Sequence, residues 1–275
     1  MQPIYQLGGA GQVIHLAVAN GFPPPTYAPL VEPLTIHYRV VSLPPRALWP
    51  GELPPDDLRD WHTVAEDLLD GLAYYDLKDV IAVGHSFGGI ASILAAAMQP
   101  ERFRALVLLD PTILPDSAMA AMAQMQADGS IRDFPLAQGA LRRKRQWATI
   151  EEASTYFRGK ALFHDWSDDS VRLYAETGTR PTDGGVELVW PPEWEAYYFC
   201  TLYTPIWDEV PKLRLPTLVL RGGESDTFMP EAAARVCSLI PGATYAELPG
   251  YGHLFPLSTP DETQQIIGAW LAGLA

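Results

Sequence analysis

The chain has 275 residues, 48% hydrophobic, 11% aromatic and 19% charged, a balance that excludes disordered, collagen-like and coiled-coil chains and suits one large domain or two small ones. Lys plus Arg total 19 against 33 Asp plus Glu, and the formal net charge of -14 sets up a field that repels phosphate backbones and anionic bilayers. Neither nucleic acid nor a membrane is an expected partner.

In chain order, Gly11 to Val18 predicts a short buried strand ended by the turn-rich run Asn20-Gly21-Phe22-Pro23-Pro24-Pro25. A second β-rich run, Ile36 to Val41, leads into a proline-punctuated loop from Pro44 to Pro55 where no regular element persists. Beyond Leu58, Trp61, Val64, Ala65, Leu68, Leu69 and Leu72 follow helical spacing with acidic residues opposite, which predicts an amphipathic helix. Then come an apolar strand over 79–83, a small-residue helix from Ile90 to Met98 and a second apolar strand over 105–109. That alternation predicts a parallel sheet covered on both faces.

From Pro111 to about Pro211 the spacing predicts helices over 117–127, 141–157 and 170–177 with no strong strand, and five of the eight tryptophans lie here. The basic run Arg142-Arg143-Lys144-Arg145 is expected as a solvated helix face. The rhythm then resumes with a strand over 216–221, a helix over 231–239, a strand over 244–248 and a last helix around 262–271. The expected organisation is thus an α/β core from residues 1–111 and 211–275, interrupted by a helical insert at 112–210. No stretch is long and apolar enough for a bilayer, and Met1-Gln2-Pro3-Ile4 lacks the basic start of a signal peptide, so a soluble cytoplasmic protein is expected. Cys200 and Cys237 are expected as free thiols in a reducing compartment, and neither lies in a metal-type cluster.

Gly84-His85-Ser86-Phe87-Gly88-Gly89 fits GxSxG between an apolar strand and a small-residue helix, the setting that a nucleophile elbow requires. A sharp turn there strains the serine backbone and presents its Oγ at a helix N-terminus, and the two glycines clear space for neighbouring backbone. Three further segments carry a resemblance: Asn20-Gly21-Phe22-Pro23, Gly222-Gly223-Glu224-Ser225-Asp226 with Pro230, and Gly252-His253-Leu254-Phe255-Pro256. With the elbow they resemble the α/β-hydrolase superfamily over nearly the whole chain, as its oxyanion loop, acid turn and histidine loop, and the insert resembles its cap domain. Asn20 stands where the family's His-Gly pair has histidine. The resemblance implies an α/β-hydrolase fold, a serine nucleophile, no metal or organic cofactor, and an oxyanion hole formed by the N–H groups of Phe22 and Phe87.

Of the six histidines, His15 and His37 fall on strands, His62 on the amphipathic helix and His164 in the insert, each with a structural role as the simpler reading. His85 adjoins the serine but cannot readily turn back to it. His253 lies in a glycine-flanked loop able to swing over the elbow, and imidazole titrates where it can take and return a serine proton. Two carboxylates compete for the acid: Asp226 in the Gly-rich turn, which is favoured, and Asp110, which ends the strand at 105–109 and precedes Pro111. The expected activity is that of a carboxylesterase acting on a small apolar acyl substrate through Ser86, His253 and Asp226. Lactone or amide hydrolysis, carbon–carbon cleavage, perhydrolysis and hydroxynitrile cleavage are alternatives with the same triad, and a non-catalytic binding protein is the rival from another class.

Overall fold

The computed structural model describes residues 2–274; Met1 and Ala275, the outer ends of the two expected core segments, lie outside the described residues. The apolar runs become the middle of one sheet. Strands β1 (Tyr5–Gly8), β2 (Val13–Ala17) and β3 (Arg39–Ser42) precede the rest, with a short helix α1 (Ala28–Val31) between β2 and β3. Helix α2 (His62–Tyr74) buries Ala65, Leu68, Leu69 and Leu72, the spacing seen in the sequence. It leads to β4 (Val80–His85), α3 (Phe87–Met98) and β5 (Phe103–Leu109). β4 is buried along its whole length, as a strand covered on both faces must be.

The segment after β5 holds α4 (Asp116–Asp128), α5 (Pro135–Leu141), β6 (Gln146–Trp147), α6 (Ile150–Arg158), α7 (Asp168–Thr177), β7 (Thr179–Thr182), β8 (Gly185–Leu188) and α8 (Pro192–Cys200). The single helix expected over 141–157 is therefore replaced by a turn after α5, the strand β6 and the shorter helix α6. Trp147 explains the break: its ring is buried against Tyr156 and Phe157 while its backbone pairs with Val186 in a small antiparallel sheet ordered β6-β8-β7. Thr149 then caps α6 by accepting from the Glu152 N–H, and Ser167 caps α7 through the Ser170 N–H.

The core closes with β9 (Thr217–Gly222), α9 (Pro230–Leu239), β10 (Thr244–Leu248), α10 (Phe255–Ser258) and α11 (Pro260–Ala272). The seven core strands run β1-β3-β2-β4-β5-β9-β10, and all neighbours are parallel except β1, which pairs antiparallel with β3. β1 escaped the sequence reading because it is a four-residue edge strand, half exposed and bulged between Gln6 and Gly8. In register, His85 lies opposite Leu109 and Leu109 opposite Leu220, so the C-terminal ends of β4, β5 and β9 are level. The residues following each strand meet there.

Candidate active site

Ser86 sits between β4 and α3 with φ 55° and ψ -119°, a conformation that L-residues rarely hold and that a nucleophile elbow imposes. The motif glycines are required by contact. A Cβ on Gly84 would stand 2.6 Å from the Gly88 carbonyl oxygen, and one on Gly88 would stand 2.2 Å from that of Ala17. Helix α3 can therefore approach β2 and β4 closely enough to place its N-terminus under the serine.

Ser86 Oγ lies 2.8 Å from His253 Nε2, and His253 Nδ1 lies 2.7 Å from Asp110 Oδ1. The sequence favoured Asp226 for this carboxylate, and the geometry corrects it: Asp226 is exposed and accepts only a 3.3 Å bond from the Thr227 hydroxyl among its described contacts. The reason is local. The turn after β9 closes with the Ser225 N–H bonded to the Gly222 oxygen, which points Ser225 inward and Asp226, the next residue, to solvent. Asp110 is fully buried at φ 44°, a left-handed conformation that Asp tolerates better than most residues. Its carboxylate accepts from the Gly222 N–H at 2.9 Å and the Ser225 hydroxyl at 2.6 Å. The turn taken for the acid thus holds the acid.

With Asp110 accepting from Nδ1–H, His253 Nε2 carries a free lone pair and takes the Ser86 hydroxyl hydrogen. The Thr112 hydroxyl, 3.1 Å from Ser86 Oγ, must then donate to that oxygen, since serine has no second hydrogen to give. Sequence reasoning missed Thr112; the signal was its place two residues beyond a strand-ending Asp. Phe87 opens α3, where the first N–H groups have no acceptor within the helix. The Phe22 N–H closes a turn on the Ala19 oxygen at 3.2 Å, so a second acceptor placed there would share its hydrogen with that carbonyl. Both residues point their rings at the insert: Phe22 packs on Trp166 and Tyr174, and Phe87 on Tyr198. Ser86 is only 8% exposed beneath them.

A model described as the alpha/beta hydrolase family matches residues 14–265. The chain belongs to the alpha/beta hydrolase family. It is 26% identical over 208 residues to 2-(acetamidomethylene)succinate hydrolase of Mesorhizobium japonicum, a match covering 74% of this chain and 68% of that protein. Among solved structures, E-2-(acetamidomethylene)succinate hydrolase superposes with a TM-score of 0.79 at 20% identity, covering 98% of this chain and 94% of that one. A thermophilic esterase from Thermogutta terrifontis, with malate bound, superposes with a TM-score of 0.71 at 21% identity, covering 99% and 93%. At these identities the structures share the fold.

In this alpha/beta hydrolase His85 is fully buried and held by a directional chain. Its Nε2 lies 3.0 Å from the His253 carbonyl oxygen, which can only accept, so Nε2 carries the hydrogen and Nδ1 accepts from the Tyr27 hydroxyl at 2.7 Å. Tyr27 in turn accepts from the Ala19 N–H at 3.0 Å. Burial, and then the nearby His253, lower the His85 pKa to about 3, so the ring stays neutral. His15 is likewise lowered to about 4 by burial and accepts from the Leu43 N–H. His62 packs edge-on against Tyr203, and His164 is exposed.

The basic run 142–145 departs from the expected solvated helix face. It is the turn between α5 and β6, and Arg143 reaches inward to the Glu195 carboxylate and the Tyr174 hydroxyl. Burial opposes its charge, while Tyr174 and Glu195 hold it above the ordinary guanidinium range. Burial also raises the thiols of Cys200 and Cys237. Among the described residues no group of three His, Cys, Asp or Glu is placed to hold a metal, and no helix is long and apolar enough to cross a membrane.

Proposed function

We propose that the chain is a serine hydrolase cleaving carboxylic esters of short or medium acyl chains. The observation that carries this reading is the continuous hydrogen-bond chain from Ser86 Oγ through His253 to buried Asp110. Oγ attacks the ester carbonyl as its proton passes to His253 Nε2, the carbonyl electron pair moves onto oxygen, and the alkoxide leaves with the Nε2 proton. Water then attacks the acyl-enzyme with His253 as base, and Oγ departs with the returned proton. The Phe22 and Phe87 N–H groups are assigned to the oxyanion, where one donor contributes about 3 kcal/mol. Asp110 keeps Nε2 free by accepting from Nδ1. The small acyl preference is supported by the covered serine and by the insert's rings packed on Phe22 and Phe87. Amide cleavage is a second reading, favoured by the relative whose name carries an acetamido group.

A fluorophosphonate probe and a panel of nitrophenyl esters, from acetate to palmitate, with matched anilides test the reading. Ser86 alone should be labelled, acetate or butyrate esters should turn over faster than palmitate, and Ser86→Ala should lower kcat by roughly 10⁴-fold or more. Unlabelled Ser86 would refute the serine mechanism. Anilides outpacing esters would move the assignment to amides.

A further inference from the structure

Three elements of the insert converge on the loop that follows β2. The Asn20 side-chain amide donates to the Glu195 carbonyl oxygen at 3.0 Å, Glu195 pairs with Arg143, and Arg143 Nη2 donates to the Tyr174 hydroxyl at 2.8 Å. A guanidinium has no acceptor, so the Tyr174 oxygen receives that bond and its own hydrogen is directed to the Gly21 carbonyl oxygen, 3.2 Å away. Burial raises the Tyr174 pKa against the pull of Arg143, so the hydroxyl remains a donor.

The bonded carbonyl belongs to the peptide unit whose nitrogen is that of Phe22. A trans peptide is rigid and planar, with its C=O and N–H pointing in opposite directions, so whatever holds the Gly21 oxygen also aims the Phe22 N–H. The same plane carries a second bond of equal length, from the Phe22 N–H to the Ala19 oxygen at 3.2 Å, so the turn holds the peptide from its nitrogen end and the Tyr174 hydroxyl from its oxygen end. We propose that Tyr174 is a positioning residue that, oriented by Arg143 and Glu195, fixes the Gly21–Phe22 peptide and so makes the oxyanion hole depend on the docked insert. This rests on the serine-hydrolase reading and adds to it a structural coupling between cap and catalytic loop. Asn20 is part of the same device: its amide ties the loop to α8.

Tyr174→Phe removes one hydroxyl and leaves the ring packed on Phe22. The expected result is a kcat lowered roughly 10- to 100-fold with KM within about twofold of the parent, the scale of a misaimed oxyanion donor. Affinity for a trifluoromethyl ketone, which mimics the tetrahedral adduct, should fall by the same factor, while the pH–rate midpoint stays in place because His253 and Asp110 are untouched. A structural role alone would lower the thermal midpoint without splitting kcat from KM. The Arg143→Met/Glu195→Gln double variant leaves no lone buried charge and frees the Tyr174 hydroxyl to turn, so it should show the same split in milder form. Unchanged kcat and ketone affinity in Tyr174→Phe, a loss confined to KM, or a faster enzyme would overturn the proposal. Fluorophosphonate labelling of Ser86 in the parent keeps this outcome distinct from failure of the serine mechanism.

Discussion

At the residue scale, the acid shows what a sequence leaves open. The meeting of Ser86 with His253 was legible because each lies in a short motif whose geometry is local: an elbow between strand and helix, and a glycine-flanked loop. The partner of His253 was not, because two strands adjacent in space are each followed by a carboxylate, Asp110 directly after β5 and Asp226 four residues after β9. The choice depends on which side chain turns inward, and this is decided by the Ser225–Gly222 turn bond and by the left-handed backbone of Asp110. Asp110→Asn should keep the fold but present the wrong imidazole tautomer, lowering kcat by roughly 10⁴-fold, whereas Asp226→Asn should remain within a few fold of the parent. Steady-state kinetics beside thermal midpoints decide it; a large loss in Asp226→Asn with Asp110→Asn active would reverse the assignment.

At the element scale, periodicity revealed what is long and regular. α2 shows its buried face in the spacing of Ala65, Leu68, Leu69 and Leu72, and β4 and β5 show theirs in the apolar runs over 80–83 and 105–109. What stayed hidden was short or set by partners: β1 exists only against β3, and β6 only because Val186 of β8 arrives 39 residues later to pair with Trp147. The same packing makes the junction of β2, β4 and α3 intolerant of volume. Gly88→Ala should cost about 3 kcal/mol or more, because its Cβ would meet the Ala17 carbonyl, while Gly139→Ala in α5, with open space around it, should gain about 0.5 to 1 kcal/mol. Urea midpoints of the two variants should move in opposite directions; equal shifts would contradict the close approach.

At the scale of the whole molecule, two buried neutral histidines couple folding to pH. His15 at about 4 and His85 at about 3 both lie below the value near 6.5 that the unfolded chain would show. The unfolded state therefore binds more protons in acid, so their contribution to stability is complete above pH 6.5 and is lost as pH falls, down to about 4 for His15 and about 3 for His85. Across the steep part of that window the two together make unfolding easier by up to about 2.7 kcal/mol per pH unit. Denaturation in urea at pH 7.5 and pH 5 should show this fall, and equal stabilities would refute it. The position of Asp110 also bears on descent. Ser86, Asp110 and the two amides proposed as oxyanion donors are encoded before residue 112, while His253 and the groups bonded to the Asp110 carboxylate, the Gly222 N–H and Ser225, come after the insert. Asp110 and Thr112 are bonded within the site and also stand where the chain leaves β5, whereas, among the described residues, none of the stretch just before β9 is bonded to Ser86, His253 or Asp110. Variation should therefore be tolerated more readily at the downstream border than at the upstream one, which carries two side chains bonded within the site.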